Sequence, residues 1–263
     1  MNRTLTHRLL FPFCAGFLLA GFSAATSHAS ITVTNGTVTE TFSVLPPATN
    51  WSTTTGLFGS NAANITNSAT ADALVGTPSS PTGTVTNGLL NAQLTSVAGG
   101  TITTANQPRY YDAGFIGTTP TGTDANLLMV TLTNGTGVNL ASFDISYDLA
   151  SQNAATQVDS DIAGHRVYWS LSGNANSWNP IGNFSTLGTV NFSVPVGTWL
   201  VNTNAHVLWL DDNSLANPDG LYSIDNVSFT AVPEPATCWL AMGALGLIGF
   251  KRHRKASPNW LKM

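Results

Sequence analysis

The sequence predicts an all-β fold, an antiparallel β-sandwich, with an apolar segment at each end of the chain. Three observations carry this reading. The middle of the chain is rich in Thr, Asn, Ser and Gly, with turn-forming residues every several positions. Short runs alternate polar and apolar side chains, the period-two signature of a half-buried strand. Helical periodicity is nearly absent, and the spacing of the short strands suits a sandwich.

The first element is a leader. Arg3 and Arg8 precede an apolar run from Leu9 to Phe22, and Ser27-His28-Ala29 is a small-x-small cleavage site. That order describes a signal peptide, residues 1–29, removed after Ala29. The alternative is an N-terminal membrane anchor, but the run is short and interrupted by Pro12. Cys14 lies within the run and does not follow small residues at its end, so it does not mark a lipoprotein.

Residues 30–232 form one domain, long enough to bury a core. They hold two basic residues, Arg109 and Arg166, against twelve acids, a net charge of −10. The whole-chain value of −4 hides this, because the other basic residues lie in the two ends. Nucleic acid is excluded as a partner, since phosphate binding needs a basic footprint. Divalent cations suit such a surface better. The two cysteines, Cys14 and Cys238, both fall outside this domain, so no disulfide holds it.

Within the domain, Thr39-Glu40-Thr41-Phe42 and Trp51 open the strand pattern. The stretch 61–106 is polar and broken by Pro78, Pro81 and Gly99-Gly100, and is expected to hold short edge strands and long loops. Arg109-Tyr110-Tyr111, after Pro108, reads as a loop. The cleanest strand is Ser142 to Leu149. There Phe143, Ile145, Tyr147 and Leu149 face one way, and serines and aspartates the other. Val167, Trp169 and Leu171 repeat the pattern, as do Val190, Phe192 and Val194. Asp225, Val227 and Phe229 share one face of the last strand.

The chain closes on a three-part tail. Val232-Pro233-Glu234-Pro235 is followed by an apolar run, Ala236 to Phe250, and then by Lys251-Arg252-His253-Arg254-Lys255. As a helix the run reaches ~22 Å, against a hydrocarbon core of about 30 Å. Snorkelling of the basic side chains makes up the difference, and their block marks the cytoplasmic side. Gly243, Gly246 and Gly249 loosen the helix.

This tail resembles the PEP-CTERM family of sorting signals. Pro233, Glu234 and Pro235 match the motif, with Lys251, Arg252, Arg254 and Lys255 as the membrane stop, so the signal spans 233–255. The resemblance implies an exosortase as processing partner and the membrane as a transient or lasting anchor. It also implies delivery to the envelope and exopolysaccharide of a Gram-negative bacterium. Residues 256–263 form a cytoplasmic tail, a departure from relatives that stop soon after the basic cluster.

The resemblance extends into the domain. Thr39 to Phe42 with Trp51 resembles the opening strand of domains often attached to this tail. Leu132-Thr133-Asn134-Gly135-Thr136-Gly137 resembles their mid-domain hairpin. Trp209 to Asn213, Asp219 and Ile224 to Val227 resemble their closing segment. Together these imply a jelly-roll or lectin-like sandwich without enzymatic activity.

Two candidate sites follow. Glu40 shares parity with Val38 and Phe42, and Asp225 with Val227 and Phe229, so both are expected to face the core. A buried carboxylate needs a partner or a metal. By analogy with jelly-roll carbohydrate-binding modules, Ca2+ bridges Glu40 and Asp225, with Asp211 or a carbonyl completing the oxygen shell. The alternative is a bulge that turns one of them outward, or hydrogen bonds from loop amides. No other cofactor is required. Arg109, Tyr110, Tyr111 and Trp178 could form a sugar-binding platform, to which Tyr168 and Trp199 would add; the competing reading is that these rings cover the core. Catalysis finds little support. His165 and His206 lie far apart in sequence, and no nucleophile elbow, His-Glu-x-x-His or phosphate loop is present.

Overall fold

The computed structural model describes residues 30–54, 65, 67–75, 90, 92–103, 105, 107–120, 125–152, 162–213 and 220–233. The leader, the tail from Glu234 onward (Pro235, Lys251, Arg252, Arg254 and Lys255 included) and Asp219 lie outside them.

The chain forms β1 (Ile31–Val33), β2 (Thr37–Glu40), β3 (Trp51–Thr53), α1 (Ser68–Val75), β4 (Ala92–Gln93), β5 (Thr95–Val97), β6 (Arg109–Tyr111) and β7 (Phe115–Thr118). There follow β8 (Asn126–Asn134), β9 (Leu140–Ser151), β10 (His165–Ser170), β11 (Asn179–Phe184), β12 (Gly188–Trp199), β13 (Asn204–Asp211) and β14 (Tyr222–Pro233). They build two seven-stranded sheets. The first runs β11-β10-β13-β8-β3-β4, with β1 also on β8; the second runs β12-β9-β14-β7-β6-β5, with β2 also on β14.

The sheets pack face to face on one core. Trp51, Leu128, Val130, Val207 and Trp209 enter it from the first sheet, and Phe143, Ile145, Tyr147, Val194 and Phe229 from the second. Tyr147 and Trp209 meet edge-on across the layer, ring centroids 6.0 Å apart. The expected alternation of β9 is observed: Phe143, Ile145, Tyr147 and Leu149 are buried, while Asp144 is exposed.

Four local expectations need correction. First, the stretch 61–106 holds a helix. Asn67 Oδ1 accepts from Thr70 N–H (3.1 Å) and Thr70 Oγ1 accepts from Asn67 N–H (3.1 Å), a reciprocal cap on α1. Ala71 and Val75, one turn apart, are buried. They cover the outer face of the first sheet in a second core with Leu127, Met129, Tyr168, Leu208 and Leu210.

Second, β10 is therefore packed on both faces. Val167 enters the main core with Trp169 half-buried against it, as the alternation predicts, while Tyr168 enters the second core. Third, two strand pairs are parallel, β1 with β8 and β5 with β6. Fourth, Leu132 to Gly137 is not a hairpin: β8 and β9 belong to different sheets, so this turn crosses the layer.

The crossing is held by Asn134, which is fully buried. Its Nδ2 donates to the carbonyls of Val138 and Trp199, both at 2.9 Å, and its Oδ1 accepts from Thr136 N–H (3.1 Å) and Thr136 Oγ1–H (2.7 Å). These bonds turn the backbone out of β8 before a ladder with β9 can form.

Candidate functional site

The tail grows directly out of the fold. β14 lies between β9 and the strands β7 and β2, and its pairing with β9 continues through Ala231↔Phe143 and Val232↔Ser142 to Pro233↔Leu140. Pro233 is exposed at the strand end, where a missing N–H breaks no ladder. Only Glu234 and Pro235 separate it from the apolar run beginning at Ala236.

Residues 231–255 match the PEP-CTERM protein-sorting motif. The chain carries a PEP-CTERM sorting signal. Its first three residues, Ala231 to Pro233, are residues of β14, so signal and fold overlap. This signal directs export and membrane-associated processing, and in general implies an exosortase as the processing enzyme. Among the described residues no helix is long and apolar enough to cross a membrane. The apolar run of the PEP-CTERM signal lies outside those residues.

No curated protein matches the chain. Three solved structures resemble part of it. One is the enzymatically active domain of the bacteriophage CBA120 tailspike protein 4, 15% identical, covering 45% of this chain and 15% of that one, at a TM-score of 0.28. Another is the Arthrobacter globiformis T6 isomalto-dextranase complexed with panose, 15% identical, covering 44% and 18%, at 0.24. A third is the mosquito-larvicidal Cry4Aa toxin of Bacillus thuringiensis, 14% identical, covering 47% and 20%, at 0.28. This chain thus spans a fifth or less of the length of each.

The carboxylates proposed for calcium are placed as follows. Glu40 is half-buried opposite Val227, and its Oε1 accepts from Phe42 N–H at 3.1 Å. Asp225 does not share a face with Val227. The register of β14 shifts between Asp225 and Ser228, and Asn226 adopts a positive φ of 50°. This bulge puts Ile224 and Val227 on the core side and turns Asp225 outward. There Asn226 Nδ2 donates to Asp148 Oδ2 (2.9 Å), and Asn226 N–H donates to Asp225 Oδ1 (2.6 Å). Partial burial, and then Asp148, raise the Asp225 pKa against the lowering pull of the Asn226 amide. Asp211 is buried at the far end of β13, in register with Asn126. Among the described residues no three His, Cys, Asp or Glu side chains gather as a metal site.

The proposed sugar platform is dispersed. Arg109, Tyr110 and Tyr111 form the strand β6, not a loop, and both tyrosines are buried. Tyr111 stacks on Phe115 at 4.9 Å, and Arg109 Nη1 donates to Thr103 Oγ1 at 3.0 Å. Trp178 and Tyr168 belong to the second core, and Trp199 lies in the main core against Phe143. Buried rings present no face for a sugar to stack on.

The two histidines sit at opposite ends of neighbouring strands. His206 is opposite Ser170, whereas His165 begins β10 beyond the Arg166↔Leu210 pair. Both are buried, and burial lowers their pKa to about 3 for His165 and about 4 for His206. They remain neutral at physiological pH and do not form a pair.

What the sequence reading passed over is the outer face of the second sheet. Asp144, Ser146, Asn191, Ser228 and Thr230 line a shallow cleft of about 370 Å³, with Ile145 and Phe192 from the same strands. Two cross-strand rows compose it. Asn191, Ser146 and Ser228 lie side by side, as do Ser193, Asp144 and Thr230, extended by Thr37 through a 2.9 Å hydroxyl contact. Hydroxyls, the Asn191 amide and the Asp144 carboxylate thus lie side by side on β12, β9 and β14, with no charge of the opposite sign among them. The outward parity of Asp144 and Ser146 was readable in sequence; which strands flank β9 was not.

Proposed function

We propose that this chain is exported across the inner membrane of a Gram-negative bacterium, processed by an exosortase at its tail, and displayed in the cell envelope or extracellular matrix. Its role there is structural or adhesive, within exopolysaccharide, biofilm or floc, and not enzymatic. The PEP-CTERM signal at residues 231–255 carries this reading. The net charge of −10 over residues 30–232 fits a hydrated matrix component that repels copies of itself and stays soluble. A jelly-roll or lectin-like domain suits the role, and a structural Ca2+ remains part of this proposal.

Intact-mass analysis of the protein from membrane and medium fractions of its host tests the reading. A species beginning near Ser30 and ending between Pro233 and Pro235 is expected. A chain still ending at Met263 in both fractions would make the tail a plain anchor and remove the main support for a matrix role.

A second reading, a carbohydrate-binding module, is favoured by the polar cleft on the second sheet. Sugar hydroxyls pair well with its Ser, Thr, Asn and Asp groups, and half-buried Phe192 is the one aromatic ring among its lining residues. On a glycan array, saturable binding that Asp144→Ala and Asn191→Ala both abolish supports this role. Binding indifferent to both variants removes the cleft from it.

A further inference from the structure

The end of the fold from which the tail departs includes three turns besides the uncharged stretch 171–178 between β10 and β11. These are residues 34–36 between β1 and β2, 135–139 between β8 and β9, and 200–203 between β12 and β13. Asn134 ties two of them together. Its N–H donates to Thr203 O (3.1 Å), its carbonyl accepts from Asn202 N–H (2.8 Å), and its side chain reaches Val138 and Trp199 as described. Gly135 N–H donates to Val33 O (2.9 Å), bringing in the third. The end is therefore a knitted surface.

The turns of that surface carry no charge. None of the three turns contains Asp, Glu, Lys or Arg. Counting inward along β9 and β14 from Pro233↔Leu140, the first ionisable side chain is Asp144, opposite Thr230. Asp148 and Asp225 lie deeper still, and Asp211 sits at the opposite end of the first sheet. The surface also exposes one large apolar side chain, Leu200, 53% accessible.

We infer that this end of the domain is a docking surface for the lipid bilayer that holds the chain's own tail. The inference rests on the sorting reading, since it needs residues 236–250 in the membrane. Glu234 and Pro235 span at most about 10 Å between Pro233 and Ala236. With Ala236 in the bilayer, the strand end and its three turns lie at the headgroups. An anionic bilayer surface repels acidic groups within roughly a Debye length of 8–10 Å. An acidic domain meets it with least repulsion through an end whose turns are uncharged, and here the one acid beside those turns is Glu234 of the linker itself. Leu200 enters the interfacial region, while Leu187, at the other end of β12, stands ~40 Å away in solvent.

The test uses the full chain reconstituted into phosphatidylethanolamine–phosphatidylglycerol vesicles. An environment-sensitive fluorophore is placed at Leu200→Cys or Leu187→Cys, both exposed positions, in a background with Cys14→Ser and Cys238→Ser. A third sample is labelled at the natural Cys238, inside the apolar run, with Cys14→Ser. Quenching by acyl-chain nitroxide lipids at Cys238 reports tail insertion. Headgroup-labelled lipids are expected to quench the Leu200→Cys probe at least twofold more than the Leu187→Cys probe, with a blue shift only at the former. Equal quenching of the two, with Cys238 quenched, overturns the docking inference and leaves the sorting reading intact. An unquenched, water-exposed Cys238 overturns both.

Discussion

Thr118 Oγ1 and His165 Nε2 lie 2.8 Å apart, a hydrogen bond that crosses from the second sheet to the first. The His165 ring also faces Tyr222, centroids 5.5 Å apart. Since the ring is buried, protonating it in place would strand a cation between the sheets.

Acid is therefore expected to destabilise the fold. His165 and His206 have folded pKa values of about 3 and about 4, below the unfolded value of about 6.5. Above pH ~6.5 both states are neutral and the histidines add no pH dependence. As pH falls below that, the unfolded chain takes up protons that the folded chain refuses, so stability declines until about pH 4 for His206 and about pH 3 for His165. The loss at pH 5 is up to about 2 kcal/mol per histidine. Urea midpoints at pH 7.5 and 5.0 measure it. His206→Gln should show a smaller drop between the two, and an equal drop would remove His206 from the account.

Asn134→Ala should cost about 2–4 kcal/mol. It deletes both donors of a buried amide and leaves the carbonyls of Val138 and Trp199 without that partner. Asn134→Asp should not rescue, because a carboxylate cannot donate to either carbonyl. Thermal unfolding of the two variants checks this.

Gly164→Ala should be among the most damaging single changes. Gly164 has φ +73°, and a Cβ there would lie 2.1 Å from Phe184 O, a backbone atom of β11. The strained dihedral and the clash together are expected to cost at least ~3 kcal/mol, read as lost soluble expression or a lowered denaturation midpoint.

The helix should depend on one ion pair. Arg166 donates to Asp72 from Nε (3.0 Å) and from Nη2 (2.8 Å), a two-pronged contact that fastens α1 to β10. Asp72→Asn should lose about 1 kcal/mol, since the pair is partly open to solvent, and salt should lower the wild type toward the variant. A double-mutant cycle with Arg166→Ala giving zero coupling would contradict the contact.

The helix illustrates how local pattern was outweighed. In residues 67–75 the small side chains of Ala69, Ala71 and Ala73 dilute the pattern, and the buried stripe of α1 is narrow: Ala71 and Val75, with Leu74 partly buried beside them. The readable signal was the Asn67-x-x-Thr70 cap, which a search for apolar periodicity passes over. The Asp225 parity argument fails for a comparable reason. A bulge at Asn226 adds one residue, and every side chain before it changes face.

By itself, the sequence determined the features that depend on near neighbours or on membrane and solvent physics. These are the sorting signal from Pro233 to Lys255, the acidic charge of the domain, the β character of the chain and the inward row of Phe143, Ile145, Tyr147 and Leu149. Each follows from a short run of side chains whose preference for water, lipid or a pleated surface is local. Only the tertiary structure decided which strands are neighbours, that Leu132 to Gly137 crosses between sheets, and that Tyr110, Tyr111 and Trp178 are buried. It alone placed Leu200 and Pro233 at one end, beside turns that carry no charge. Those outcomes depend on pairings between residues distant along the chain, such as Thr118 with His165 and Asn134 with Trp199, whose partners no local pattern specifies.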